Sequence, residues 1–222
     1  MSDEAPPRRW IIIVLACLAI GGLAFAIGRF STFGTGAAQA KPTNTSAEAG
    51  FARDMQVHHG QAVEMAMEIY RKTDDSDLRT LAYDIATGQA AQRGEMFDWL
   101  VQWGLPQAGE PLMTWMADAD GGHGEHGGSS AEPLDESQLR AAMGMATDAE
   151  LAELREATGG AADCLFLRLM IRHHEGAIPM AQAVIERGSE PRVLAVATTM
   201  KNTQASEIVA MQSMQSRLGC TG

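Results

Sequence analysis

Two histidine pairs, His58-His59 and His173-His174, each follow a methionine by about one helical turn, Met55 in the first case and Met170 in the second. Side chains three and four residues apart share one face of a helix, so a thioether and an imidazole can approach one ion there. Soft sulfur joined to imidazole, with no thiolate nearby, selects Cu(I) over hard cations, and Ag(I) follows by the same softness. Calcium or magnesium would need clustered oxygens, which this face lacks, and zinc gains little from a thioether. Adjacent residues on a helix point about 100° apart. One histidine of each pair is therefore expected to face the core and the other to lie at its flank. The plainer reading is a hydrogen-bonded core histidine beside gap-filling methionine.

The elements that position these residues are duplicated. Phe51, Met55, His58, His59, Ala62, Met65 and Ala66 recur 115 residues later as Phe166, Met170, His173, His174, Ala177, Met180 and Ala181. The same offset carries Gln89 onto Gln204, Met96 onto Met211 and Gly104 onto Gly219 without a gap. Such self-similarity marks duplication of one supersecondary unit. Each unit reads as a helical hairpin. Apolar residues recur at helical spacing, Asp74-Asp75-Ser76 offers a turn and N-cap, and Gly104 with Pro106 stops the second helix. In the second unit Gly188 ends one helix, Pro191 suits the opening turn of the next, and Gly219 closes it. Pro179 falls inside the histidine-bearing helix and is expected to kink it after His174. Two such hairpins bury their apolar stripes as an all-α four-helix bundle. Met65 stands seven residues beyond His58, roughly 10 Å along the axis, too far to share an ion bound there.

The expected organisation is a hairpin over residues 47–105, a connector over 106–160 and a second hairpin over 161–220. The connector holds a glycine-rich loop with His123 and His126. It also holds Met113, Met116, Met143 and Met145, where core packing is a weaker explanation, so these six residues form a secondary candidate set for metal. Thr147-Asp-Ala-Glu150 is a capping box opening a short helix through Leu151 and Leu154. Cys164 starts the third long helix and Cys220 ends the fourth. Those ends adjoin in an antiparallel hairpin, so a disulfide is geometrically sensible; two unpaired thiols are the alternative.

Arg8 and Arg9 precede an apolar run within residues 10–28. About 18 residues at 1.5 Å rise give roughly 27 Å, enough to span a hydrocarbon core. The charge before the run keeps residues 1–9 in the cytoplasm and sends the rest outside. The run reads as an uncleaved transmembrane or signal anchor, or as a signal peptide cleaved after Ala40, which would leave the mature chain secreted or periplasmic; its length favours the anchor. Residues 29–46 read as a flexible linker. The chain has 28 acidic and 17 basic side chains and a net charge of −11, which excludes nucleic acid as a partner. At 5% aromatic residues and with few β-branched runs, a sandwich or barrel is also excluded.

A bundle with inward histidines also invites a di-iron redox enzyme, which needs a Glu from two helices and Glu-x-x-His on two others. Here Met55 and Met170 occupy the position three before His58 and His173. The ligand set is wrong in kind, and no nucleophile elbow, phosphate loop or dinucleotide fingerprint is present. No catalytic residue is assigned. The doubled Phe-x3-Met-x2-His-His-x2-Ala-x2-Met-Ala motif, with Met143-Gly144-Met145 between its copies, resembles the domain of unknown function 305 (DUF305) family over roughly residues 47–218. The resemblance implies an exported ferritin-like bundle, related to periplasmic copper-binding proteins, that sequesters or transfers copper. It implies Met55, His58, His59, Met65, Met170, His173, His174 and Met180 as ligands. A copper-donor or acceptor protein is the implied macromolecular partner, alongside the membrane. A bundle whose histidine pairs only hydrogen-bond across the core stays as the non-metal alternative.

Overall fold

The computed structural model describes residues 41–117 and 134–220. The apolar run at 10–28, the cleavage site after Ala40, and His123 with His126 lie outside them. Among the described residues no helix is long and apolar enough to cross a membrane. These residues form seven helices and no strand: α1 Ala47–Lys72, α2 Ser76–Trp103, α3 Thr114–Ala117, α4 Glu136–Ala142, α5 Asp148–Glu156, α6 Gly159–Arg187 and α7 Pro191–Leu218.

Local chemistry sets these limits. Ser46 caps α1 through Ala49 N, Asp75 caps α2 through Leu78 N, and Glu190 caps α7 behind Pro191. Gly104 and Gly219, both left-handed at φ near 74° and 71°, close α2 and α7. The Thr147–Glu150 capping box is present at α5. A second box, Asp135 with Gln138, opens α4, a helix the sequence reading did not expect. α6 continues through Pro179 to Arg187 as one helix. Pro179 and Glu175, the carbonyl it leaves without a donor, are both exposed, so water can satisfy that group.

α1 pairs with α2, α6 with α7, and the two hairpins meet where α1 crosses α6. The crossing is antiparallel, and the apolar core falls into two clusters on either side of it. One holds Phe51 and Met55 from the start of α1 with Met180 and Val184 from the end of α6. The other holds Met65 and Ile69 from the end of α1 with Phe166 and Met170 from the start of α6. The repeats thus interlock head to tail. Glu48, at the start of α1, accepts hydrogen bonds from Ser189 N (2.6 Å) and Glu190 N (3.2 Å) at the α6–α7 turn. Those bonds outweigh burial and hold its carboxyl below the usual range. Asp163, the matching residue of the second repeat, receives a hydrogen bond from the Thr73 side chain at the α1–α2 turn.

Cys164 and Cys220 form a disulfide, with Cα atoms 5.4 Å apart, tying the start of α6 to the end of α7. The connector is anchored rather than loose where it is described. Asp54 Oδ2 accepts from Met113 N (2.8 Å) and from Trp115 Nε1 (2.9 Å). The indole lies so close to Gly50 that a Cβ there would sit 2.3 Å from it.

Candidate metal centre

His58, His59, His173 and His174 are all fully buried, in the layer between the two apolar clusters. This corrects the expectation that one of each pair would lie at a flank. α1 and α6 each pack against two neighbours, so the 100° between adjacent side chains aims one ring at the opposite hairpin and the other at its own partner helix. The His58 and His173 rings meet at the crossing with centroids 3.7 Å apart and planes tilted by 33°. His59 and His174 turn outward from that pair, each 6.3 Å from its sequence neighbour's ring, and reach α2 and α7.

Every ring is held by Nε2. His58 Nε2 donates to Met143 O (3.0 Å) and His173 Nε2 to His58 O (3.1 Å). His59 Nε2 contacts Gln92 Oε1 at 2.8 Å, and His174 Nε2 contacts Glu207 Oε2 at 2.6 Å. With carbonyl or carboxylate oxygen as every acceptor, each Nε2 carries a proton, and in a neutral ring the lone pair then lies on Nδ1. All four Nδ1 atoms are buried without a protein partner. Burial, and after it the neighbouring imidazoles, push His59 down to about 3 and His173 well below its ordinary value. Burial likewise brings His58 down to about 4 against the opposing bond to Met143. These three rings are neutral near pH 7, the form a metal ligand requires.

The thioethers pair across the two repeats. Met55 shares its cluster with Met180, and Met65 shares the other with Met170. The antiparallel crossing therefore brings the early methionine of one repeat alongside the late methionine of the other. Met65, too far from His58 along its own helix, belongs to the Met170 side instead. All four sulfur-bearing side chains are fully buried. Met143 and Met145 are also core residues, at 0% and 3% exposure, and Met113 and Met116 pack partly buried against the first cluster. All four connector methionines therefore pack in or against the core, where the sequence had made core packing the weaker explanation. The backbone explains why. Gly144 has φ 71°, and a Cβ there would lie 2.2 Å from Arg172 O; a Cβ on Gly176 would lie 1.9 Å from Met143 O. Two glycines let the connector press onto α6 and present the Met143 carbonyl to His58.

The donors fit a soft monovalent cation in kind: imidazoles whose Nδ1 atoms no protein group meets, and thioethers in adjoining layers. Among the described residues no three His, Cys, Asp or Glu side chains already stand as a cation cage. Low-coordinate Cu(I) or Ag(I), drawing on sulfur, fits such a donor set better than zinc does. Gln92 and Glu207 were missed by the sequence reading as partners of the rings. The signal was available, since the 115-residue offset maps one onto the other, 33 residues after the histidine each one holds. Gln89 and Gln204, also equivalent, are buried with both amide atoms lacking a protein partner. They line a cavity of about 40 Å³ between α2 and α7 with Gln92 and Glu207.

Comparison with known proteins places this arrangement. A DUF305 protein of Streptomyces coelicolor described as secreted is 39% identical, with a TM-score of 0.68, covering 81% of this chain and 98% of its own. A DUF305 fragment from Deinococcus radiodurans is 30% identical, with a TM-score of 0.61, covering 77% of this chain and 96% of its own. CopM, solved in a Cu(I)-bound form, shares the fold at 22% identity with a TM-score of 0.56, covering 78% of this chain and 96% of its own. No curated protein matches the chain. The family described as "Domain of unknown function (DUF305)" matches residues 48–215. The chain belongs to the DUF305 family.

Proposed function

We propose that this protein is an extracytoplasmic, membrane-tethered bundle that binds Cu(I), and Ag(I) with it, for sequestration or hand-off rather than for catalysis. One observation carries the reading: four buried imidazoles are each fixed through Nε2 and keep Nδ1 unpartnered, between layers holding Met55 with Met180 and Met65 with Met170. Those nitrogens and thioethers are the groups that would hold the ion, and the protein's part is to keep them desolvated and oriented. CopM, a structural relative, is described in Cu(I)-bound, Ag-bound and Cu(II)-bound forms, which supports the choice of metal. The run at 10–28 behind Arg8 and Arg9 supports the tether and the export.

A second reading, a purely structural bundle, is favoured by the fact that each Nε2 already links two elements. Titration of the full chain with Cu(I) against a competing Cu(I) chelator separates the two. Binding that disappears when His58, His59, His173 and His174 are all replaced by Gln, with helical circular dichroism retained, supports the metal reading. Unchanged binding refutes it. Iron or manganese in the purified protein, with oxygen consumption, would instead favour a redox enzyme.

A further inference from the structure

The two halves of the imidazole layer share one backbone plan but differ in charge. His59 and His174 are repeat equivalents, both fully buried, both held through Nε2 from the partner helix, both with Nδ1 unpartnered. The residue holding His59 is Gln92, at 2.8 Å; the one holding His174 is Glu207, at 2.6 Å. The next residue widens the difference. Arg93 acts on His59 with its positive charge, while the matching position of the second repeat is Ile208.

A carboxylate on the far nitrogen of an imidazole fixes its tautomer and strengthens the other nitrogen as a donor. A neutral amide oxygen fixes the tautomer with much less gain, and an adjacent guanidinium opposes a cation's approach. We propose that Glu207 is the positioning residue that makes the two halves unequal, so that the His173-His174 half takes the soft cation first and holds it more tightly than the His58-His59 half. This rests on the metal-binding reading above. Carboxylate–histidine support of this kind is typically worth ten- to a hundredfold in metal affinity. The tight half then retains an ion at concentrations at which the Gln92 half still exchanges it.

The substitutions that test this are already present in the molecule, because each repeat carries the other's residue. Glu207→Gln and Gln92→Glu are near-isosteric, and together they exchange the two partners. The full chain is first followed without metal by imidazole nitrogen-proton NMR. The Hε2 proton of His174 is expected downfield of that of His59, and the order should reverse in the double variant. Cu(I) is then supplied through a competing chelator while the ring signals report which pair fills first. The expected result is that His173-His174 fills first in the parent, that E207Q weakens the first equivalent about tenfold, and that the double variant fills His58-His59 first. Cu(I) binding with equal halves, or a filling order that ignores residues 92 and 207, overturns the inference while leaving the metal reading intact. Absence of Cu(I) binding in the parent overturns both. An Hε2 shift that does not follow residue 207 overturns the positioning role directly.

Discussion

Three of the core imidazoles make the fold acid-sensitive within a narrow window. His58 titrates at about 4 and His59 at about 3 in the folded protein, and His173 lies well below the ordinary value of 6.5. Each is therefore neutral when folded and protonated when unfolded over much of the range below 6.5. The unfolded chain binds more protons there, so stability rises with pH. The contribution is fully present above 6.5 and is lost as pH falls toward about 4 for His58 and about 3 for His59. Going from about pH 7 to about pH 5 costs roughly 2 kcal/mol for each of His58 and His59, or about 4 kcal/mol for the two, with His173 acting in the same direction, against a total domain stability of about 5–15 kcal/mol. Glu150, brought down to about 2 chiefly by the Arg172 guanidinium, loses its contribution below that window. Burial raises Asp54, which acts with the opposite sign. Urea unfolding followed by far-ultraviolet circular dichroism, in the presence of a metal chelator, measures the linkage. Uptake of between one and two protons per unfolding event from His58 and His59, with His173 adding in the same direction, is expected between about pH 5 and 6, and His59→Gln should remove about one of them. Uptake of fewer than one proton, or a slope indifferent to His59→Gln, would show that the rings are not held neutral by burial.

Further outcomes follow from single contacts. Gly176→Ala places a methyl 1.9 Å from Met143 O, so the connector must lift from α6 and release His58 Nε2; a loss of about 3 kcal/mol is expected from thermal unfolding. Replacing Cys164 and Cys220 by Ser opens a bridge spanning 56 residues and should cost about 4 kcal/mol in the chain-entropy model, read as a lowered Tm. Asp54→Leu leaves Met113 N and Trp115 Nε1 without their acceptor. It should cost about 2 kcal/mol and open residues 106–117 to limited proteolysis. Free Cu(I) at about a hundredfold above its Kd should stabilise the fold by roughly 2.7 kcal/mol in the same thermal assay, whereas a purely structural bundle would show no shift.

Much of the bundle was legible because its signals are local and doubled. The 115-residue offset, the Asp75 and Thr147 caps, and the Gly104 and Gly219 stops each act within a turn or two, and all appear where the pattern placed them. What could not be read is set by crossing geometry. The helix period alone puts one of two adjacent histidines at the flank; only a helix with close neighbours on two sides buries both. The pairing of methionines across the repeats has the same origin: spacing along α1 joins Met55 to His58, but only the antiparallel partner joins Met55 to Met180. Met143 and Met145 looked unattached because their burial depends on Gly144 and Gly176, which lie on different elements. Gln92 and Glu207 were within reach of the repeat, because the offset that carries Gln89 onto Gln204 carries Gln92 onto Glu207 three residues later.

The division of labour on the rings favours the proposed ligand site over ordinary packing. A histidine kept only to bridge two helices has no reason to leave the same nitrogen unpaired at four positions, two of which meet a carbonyl and two a side chain. The bridging partners are also not conserved by the duplication: Met143 supplies the acceptor for His58, His58 itself supplies it for His173, and Gln92 answers Glu207. Unlike partners converge on one outcome, an imidazole anchored at Nε2 with a buried Nδ1 that no protein group meets. Each such nitrogen carries a desolvation cost of about 1–3 kcal/mol if nothing meets it, and four of them sit within one layer. Apolar side chains of similar volume would avoid that cost and pack as well against the flanking methionines. Coordination of a cation would meet those same four atoms and offset that cost, so under the proposed function they would strengthen the core.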